Sequence, residues 1–214
     1  MVTVEQLDAA IGKSIRRDSN LTPLAMAVPA LSSITLRHLM NNLGAICTRY
    51  MEHGVHRGGL FCSTICGNPS IKMAVAVDNW ASDETNEEKA EPEFLDNMNS
   101  LICHSTKGLV IKANSFDVRP EDVCGNGPVD MYLFDADHSE DSQCRAITNF
   151  ISAMADQFVF CVDDYDWPDV YNGTMRGIRE CNLEILAQYI FKGNDHDNDG
   201  FWNGFAVFLL KKKA

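Results

Sequence analysis

Val129-Asp130-Met131-Tyr132-Leu133-Phe134-Asp135-Ala136-Asp137-His138 is the stretch that decides how this chain reads. The run through Phe134 looks like a buried strand, and it stops on two carboxylates and a histidine. Phe158-Val159-Phe160-Cys161-Val162 repeats the arrangement and stops on Asp163-Asp164. Neighbouring anions repel and resist desolvation, so a strand end that gathers them is costly without a purpose. Two such ends side by side would make a compact oxygen-rich site suited to a hard divalent cation such as Mg²⁺.

Working outward, further strands are expected at Ala45 to His53, Met73 to Trp80 and Leu109 to Phe116, with Val129 to Asp135 and Phe158 to Asp163 completing a set of five. Polar or helical stretches separate them, the pattern of a parallel sheet with crossover helices. Glu184 to Lys192 and Phe205 to Lys211 are two more, joined by the turn-rich Gly193-Asn194-Asp195-His196-Asp197-Asn198-Asp199-Gly200. That link predicts a hairpin, so the sheet ends with an antiparallel strand. The fold class expected is α/β: a class I methyltransferase (Rossmann-like) sheet with a terminal antiparallel hairpin. Ahead of it, Val4, Leu7, Ile11 and Ile15 recur at helical spacing, and Ser32-Ser33 can cap a second helix carrying Leu36, Leu39 and Leu43. Residues 1–45 are therefore expected as an N-terminal helical cap, a lid or an oligomer contact, and 46–214 as the α/β domain.

The 214 residues are 45% hydrophobic and 22% charged, ordinary for one globular domain. No apolar run approaches the roughly 18 residues a membrane helix needs, and charges at Glu5, Asp8, Arg16, Arg17 and Asp18 argue against a secretory signal. The eight cysteines are scattered, several inside apolar runs, which suits free thiols in a reducing, cytoplasmic setting. A net charge of −12 works against binding a nucleic-acid backbone, and Lys211-Lys212-Lys213 is the only basic cluster.

Glu52-His53-Gly54-Val55-His56-Arg57-Gly58-Gly59 follows the first expected strand. Glycines at 54 and 58 allow a sharp turn and a close approach of backbone to ligand. An acid ahead of the first glycine can hold a ribose or an ammonium group, although an ordinary tight turn would look the same. Asp78 ends the second strand, where an acid commonly accepts hydrogen bonds from ribose hydroxyls or simply caps the strand. Ser115 and Phe116 fall at the end of the third, the former a polar contact for an adenine, the latter a stacking surface.

Together, E-x-G-x-x-x-G at Glu52 to Gly58, Asp78, Asp135-x-Asp137 and Asp163-Asp164 resemble the metal-dependent, S-adenosylmethionine-using sugar O-methyltransferases of the macrocin and novobiocin-pathway type. The resemblance covers roughly residues 45 to 211 and is specific at the acidic clusters. It implies that Asp135, Asp163 and Asp164 ligate Mg²⁺ (or Mn²⁺), with Asp135 also bordering the cofactor. It further implies that Asp137 is the general base and that Glu52, Gly54, Gly58 and Asp78 hold S-adenosylmethionine. His138 could share the proton transfer or orient Asp137. His53 departs from the pattern, standing where an apolar residue is usual. It reads either as tilted toward the ligand or as a buried, hydrogen-bonded histidine. A fainter likeness is to the methyltransferase domains fused to glycosyltransferases in glycan-building proteins of large algal viruses, which would work in the host cytoplasm.

The acceptor implied is a sugar hydroxyl, such as a deoxyhexose of a glycan, and Tyr165, Trp167, Tyr171 and Trp202 could present faces to a sugar ring or merely pack. The rivals are a catechol-type small-molecule O-methyltransferase and a catalytically silent module that keeps the fold to bind a partner. Asp195-x-Asp197-x-Asp199-Gly200 imitates the start of a calcium loop, but its twelfth position is Ala206 and strands flank it.

Overall fold

The structure is a computed structural model, and it describes residues 1–81, 90–125, 127–194, 197 and 199–213. Most of the acidic stretch expected as a solvated loop or helix start (Asp83 to Glu93), and Asp195, His196 and Asn198 of the calcium-like loop, lie outside the described residues.

Among the described residues seven strands form one sheet: β1 (Arg49–His53), β2 (Met73–Asp78), β3 (Lys107–Lys112), β4 (Val129–Phe134), β5 (Met154–Asp163), β6 (Leu183–Phe191) and β7 (Phe205–Lys212). Their order is β3-β2-β1-β4-β5-β7-β6, all parallel except β7, which runs antiparallel between β5 and β6. This is the class I methyltransferase architecture with its terminal hairpin, as expected from the sequence. The order reverses direction between β1 and β4, the place where an open α/β sheet leaves a crevice beyond the strand ends.

Side chains alternate between two apolar layers. Tyr50, Ala74, Ala76, Leu133, Val159 and Val207 join one cluster, whereas Met51, Val75, Tyr132, Phe134, Phe160 and Phe208 join the other. The first layer is covered by α1 (Val4–Ile15), α2 (Pro23–Met26), α3 (Ile34–Ala45), α4 (Gly59–Ile65) and α5 (Ala90–Leu101). The second is covered by α6 (Pro120–Cys124), α7 (Glu140–Thr148) and α8 (Pro168–Glu180). The N-terminal helices contribute Leu7, Leu36, Leu39 and Leu43 to the same cluster as Phe61 of α4 and Leu133 of β4.

Among the boundaries that differ from the expectation, two stand out. Ala45 ends α3 rather than opening β1, because the helix begins as expected, with Ser33 Oγ accepting the Leu36 N–H at 3.0 Å, and runs on for 12 residues. β3 is shifted toward the N-terminus, at Lys107–Lys112, so Asn114, Ser115 and Phe116 fall in the turn beyond it. Register explains the shift: Lys107 pairs with Met73, and Asp78 with Lys112, leaving nothing for the later residues to pair with.

Candidate active site

A cavity of about 480 Å³ opens over the carboxyl ends of β1, β2, β4 and β5. The chain turns sharply after β1, with Gly54 at φ +87° and Gly58 at φ +89°. A Cβ on Gly54 would stand 1.8 Å from the Asp135 carbonyl oxygen, so only glycine lets β1 and the tail of β4 meet here. Gly58 supplies the left-handed residue that starts α4. It does not border the cavity, but Gly54 and Gly59 do.

Glu52, Asp78, Asp135, Asp163 and Asp164 all border it. Glu52 is 1% exposed, receives the Tyr50 hydroxyl, and has its carboxyl pushed up to about 8 by burial, against the lowering influence of Tyr50. Asp78 accepts the His56 and Trp80 backbone N–H groups, each at 2.8 Å, and so fixes the loops on either side of it.

The acidic ends of β4 and β5 meet. Asp135, His138 and Asp164 each offer a ligand atom, and these atoms lie within 4.8 Å of one another. His138 Nε2 is 2.8 Å from Asp164 Oδ2 and 4.0 Å from Asp135 Oδ1. Asp164 Oδ1 accepts the Asn203 amide at 2.7 Å, and its backbone sits at φ +52°. Enclosure, then the charges of Asp163 and Asp164, hold the Asp135 carboxyl well above the usual range, although 26% of its side chain reaches solvent. Enclosure and Asp164 likewise raise Asp163. The hydrogen bond to Asp164 raises His138. A set of two carboxylates and one imidazole, with a third carboxylate alongside, fits a divalent cation such as Mg²⁺ or Mn²⁺, the imidazole leaning toward the latter.

The sequence-derived residues separate here. Asp163, expected as a ligand, borders the cavity but lies outside the tight group, where His138 stands instead. Asp163 Oδ1 accepts the Asp164 N–H at 3.0 Å. Asp137 turns away: its carboxylate accepts the Ser139 N–H at 2.9 Å and the Ser139 hydroxyl, which lowers its pKa, and it does not border the cavity. Ser115 and Phe116 do not border it either. Phe116 packs on Phe134 and lies 3.9 Å below the Arg145 guanidinium. His53 is buried but, against the hydrogen-bonded reading, neither ring nitrogen has a hydrogen-bond partner among the described residues. It stands on the opposite side of the sheet, against Tyr132, Phe134 and Phe150.

Two parts of the wall escaped sequence reading. Residues 29–33 form a strap across the cavity, and Phe201 and Asn203 close it from the β6–β7 link. The strap lies in the pattern break before α3, where nothing periodic marks it. Of the aromatics, Trp202 borders the cavity, while Trp167 stands outside it, 43% exposed, its ring 4.9 Å from that of His138.

No protein-family model matches the sequence, and no curated protein matches it. Solved structures do match in fold. A cofactor-bound protein, Rv0187 from MTB, is 18% identical with a TM-score of 0.60, over 99% of this chain and 92% of that one. The O-methyltransferase TomG from Streptomyces achromogenes, involved in tomaymycin synthesis and in complex with SAM, is 16% identical with a TM-score of 0.59, over 98% and 91%. The O-methyltransferase from Bacillus cereus in complex with SAH is 13% identical with a TM-score of 0.55, over 99% and 93%. The chain therefore has the class I methyltransferase fold.

Proposed function

We propose that this protein transfers a methyl group from S-adenosylmethionine to a hydroxyl of a sugar, with a divalent cation, Mg²⁺ or Mn²⁺, at Asp135, Asp164 and His138. The observation that carries the reading is the meeting of these three side chains on one wall of a cavity whose other walls are the glycine turn and Asp78. The solved neighbours include O-methyltransferases with SAM or SAH bound, which supports the donor.

The donor is a cation, and the carboxyls of Glu52, Asp78, Asp135 and Asp163 border the cavity, so a cation bound there would favour the ionised forms that enclosure opposes in Glu52, Asp135 and Asp163. Glu52 and Asp78 are the residues to hold its ammonium and ribose ends, with Gly54 keeping the backbone close. A bound divalent ion would make an acceptor hydroxyl easier to ionise. His138 borders the cavity with Nε2 beside Asp164, and as a ligand it would orient the ion rather than take the proton; Asp137 is the residue that shapes the turn into α7 through Ser139. Holding donor and acceptor together supplies the orientation that the reaction needs. The exposed Trp167 ring beside His138 offers an apolar face to a sugar at the cavity mouth. It favours the sugar over the catechol reading only through this polar, open surround.

The test is S-adenosylhomocysteine release with a panel of deoxysugars and catechols, with Mg²⁺ or Mn²⁺ present and then with excess EDTA. Turnover of sugars that stops in EDTA supports the reading. Turnover of catechols alone moves the acceptor to the rival class, and undiminished activity in EDTA removes the metal. A protein that takes up neither S-adenosylmethionine nor S-adenosylhomocysteine in calorimetry would be a silent binding module.

A further inference from the structure

We infer that Arg37 is a positioning residue for the donor: it anchors the end of α2 and Val28, from which the strap at residues 29–33 departs, and so holds the strap in place as part of the cavity wall. The inference rests on the donor reading just given.

Arg37 lies in α3 and is only 5% exposed, yet its bonded partners are neutral. Its guanidinium donates to the carbonyls of Met26 at 3.1 Å and Val28 at 3.2 Å, and to that of Ala25. Nε donates to Ser63 Oγ at 2.9 Å, and Ser63 in turn donates to the Gly59 carbonyl at 2.6 Å. Burial pulls the Arg37 pKa down. A buried guanidinium with no anion bonded to it among the described residues is an expensive way to hold a helix on a core, and an apolar residue would pack there at less cost. What the fork does that an apolar side chain cannot is join the carbonyls of Ala25, Met26 and Val28, at the end of α2 and just ahead of the strap, through Ser63 to the start of α4 at the glycine turn.

The strap is fitted closely at both ends. A Cβ on Gly59 would fall 2.4 Å from Ala30 Cβ and 2.7 Å from Ala30 Cα, so the strap rests directly on the start of α4. On the far side the Ser33 hydroxyl donates to the Gly200 carbonyl, joining the strap to the link that carries Phe201 and Asn203. Pro29, Ala30, Leu31 and Ser32, between these anchors, border the cavity.

The experiment compares wild type, Arg37→Lys, Arg37→Met and Gly59→Ala by calorimetry with S-adenosylhomocysteine, steady-state kinetics, and hydrogen exchange over residues 25–33. Arg37→Met should raise Kd by about tenfold or more, with Arg37→Lys between it and wild type. KM for the donor should rise while kcat at saturating donor holds, and exchange in the strap should quicken. Gly59→Ala leaves Arg37 intact but displaces Ala30, and should weaken binding likewise. A folded Arg37→Met with Kd within about twofold of wild type overturns the inference. If that variant does not fold, unchanged binding by Gly59→Ala overturns it. Failure of wild type to bind the probe defeats the donor reading instead, and unaltered strap exchange in Arg37→Met then defeats the clamp as well.

Discussion

Glu52 and His53 are neighbours on β1, both fully enclosed, and they face opposite sides of the same sheet. Burial drives each toward its neutral form, Glu52 up to about 8 and His53 down to about 3. There the likeness ends. Glu52 has the Tyr50 hydroxyl as a partner and looks into a cavity lined by four more carboxylates. His53 has an aromatic cage and no hydrogen-bond partner among the described residues. A buried ionisable group is thus not in itself a sign of chemistry. What separates the two is whether space and further polar groups lie beyond the side chain.

Substitutions on the two faces should fail in different ways, and the largest effect belongs to the cavity face. Asp135→Ala or Asp164→Ala should reduce turnover by about a thousandfold or more while S-adenosylhomocysteine still binds, because the loss falls on the reacting step. Asp163→Ala should do less, since Asp163 stands outside the tight group; equal losses at 163 and 164 would restore Asp163 to the ligand set. Excess EDTA should match Asp135→Ala in its kinetics and leave the melting curve near that of the untreated protein.

Glu52→Gln should weaken donor binding by roughly tenfold, read by calorimetry. It should also change stability in a pH-dependent way. The unfolded chain gives up the Glu52 proton near 4.5 and the folded chain near 8, so what this group contributes is greatest at low pH and declines through that interval. The glutamine variant should therefore gain on wild type by about 1–3 kcal/mol as pH rises toward 8. A constant offset would place the Glu52 proton elsewhere.

The smallest functional effect belongs to the other face. His53→Phe should leave turnover within about twofold of wild type and raise acid stability. Unfolded, His53 takes its proton near 6.5; folded, only near 3, so its contribution is complete above 6.5 and is lost as pH falls through that window. Melting at pH 4 to 5 should improve by several degrees in the variant and little at pH 8. A drop in kcat with intact folding would make β1 a conduit between the two faces and erase the contrast.

Much of this was written in the residues themselves. The apolar runs of β4 and β5, cut off by Asp135 and by Asp163-Asp164, mark two acidic strand ends, and the pairing of β4 with β5 brings them side by side. The turn residues between Phe191 and Phe205 give the reversal of β7. What could not be read was aim. Asp137 and His138 are consecutive in an acidic stretch, and only the Ser139 hydrogen bonds decide that one turns outward. Ser115 and Phe116 depended on where β3 stops, a matter of pairing with β2. Arg37 carries no mark in the sequence, since its partners are three backbone carbonyls and one serine hydroxyl that no residue type announces.

Asp164 carries a constraint of another kind. It is held in the left-handed region, where most side chains are crowded and only glycine, asparagine and aspartate settle readily. Any drift at this position is therefore funnelled toward asparagine or glycine, substitutions that preserve the bend while discarding the charge. A lineage that abandoned its chemistry could keep the whole scaffold through this one exchange, leaving a fold whose history survives in a backbone angle.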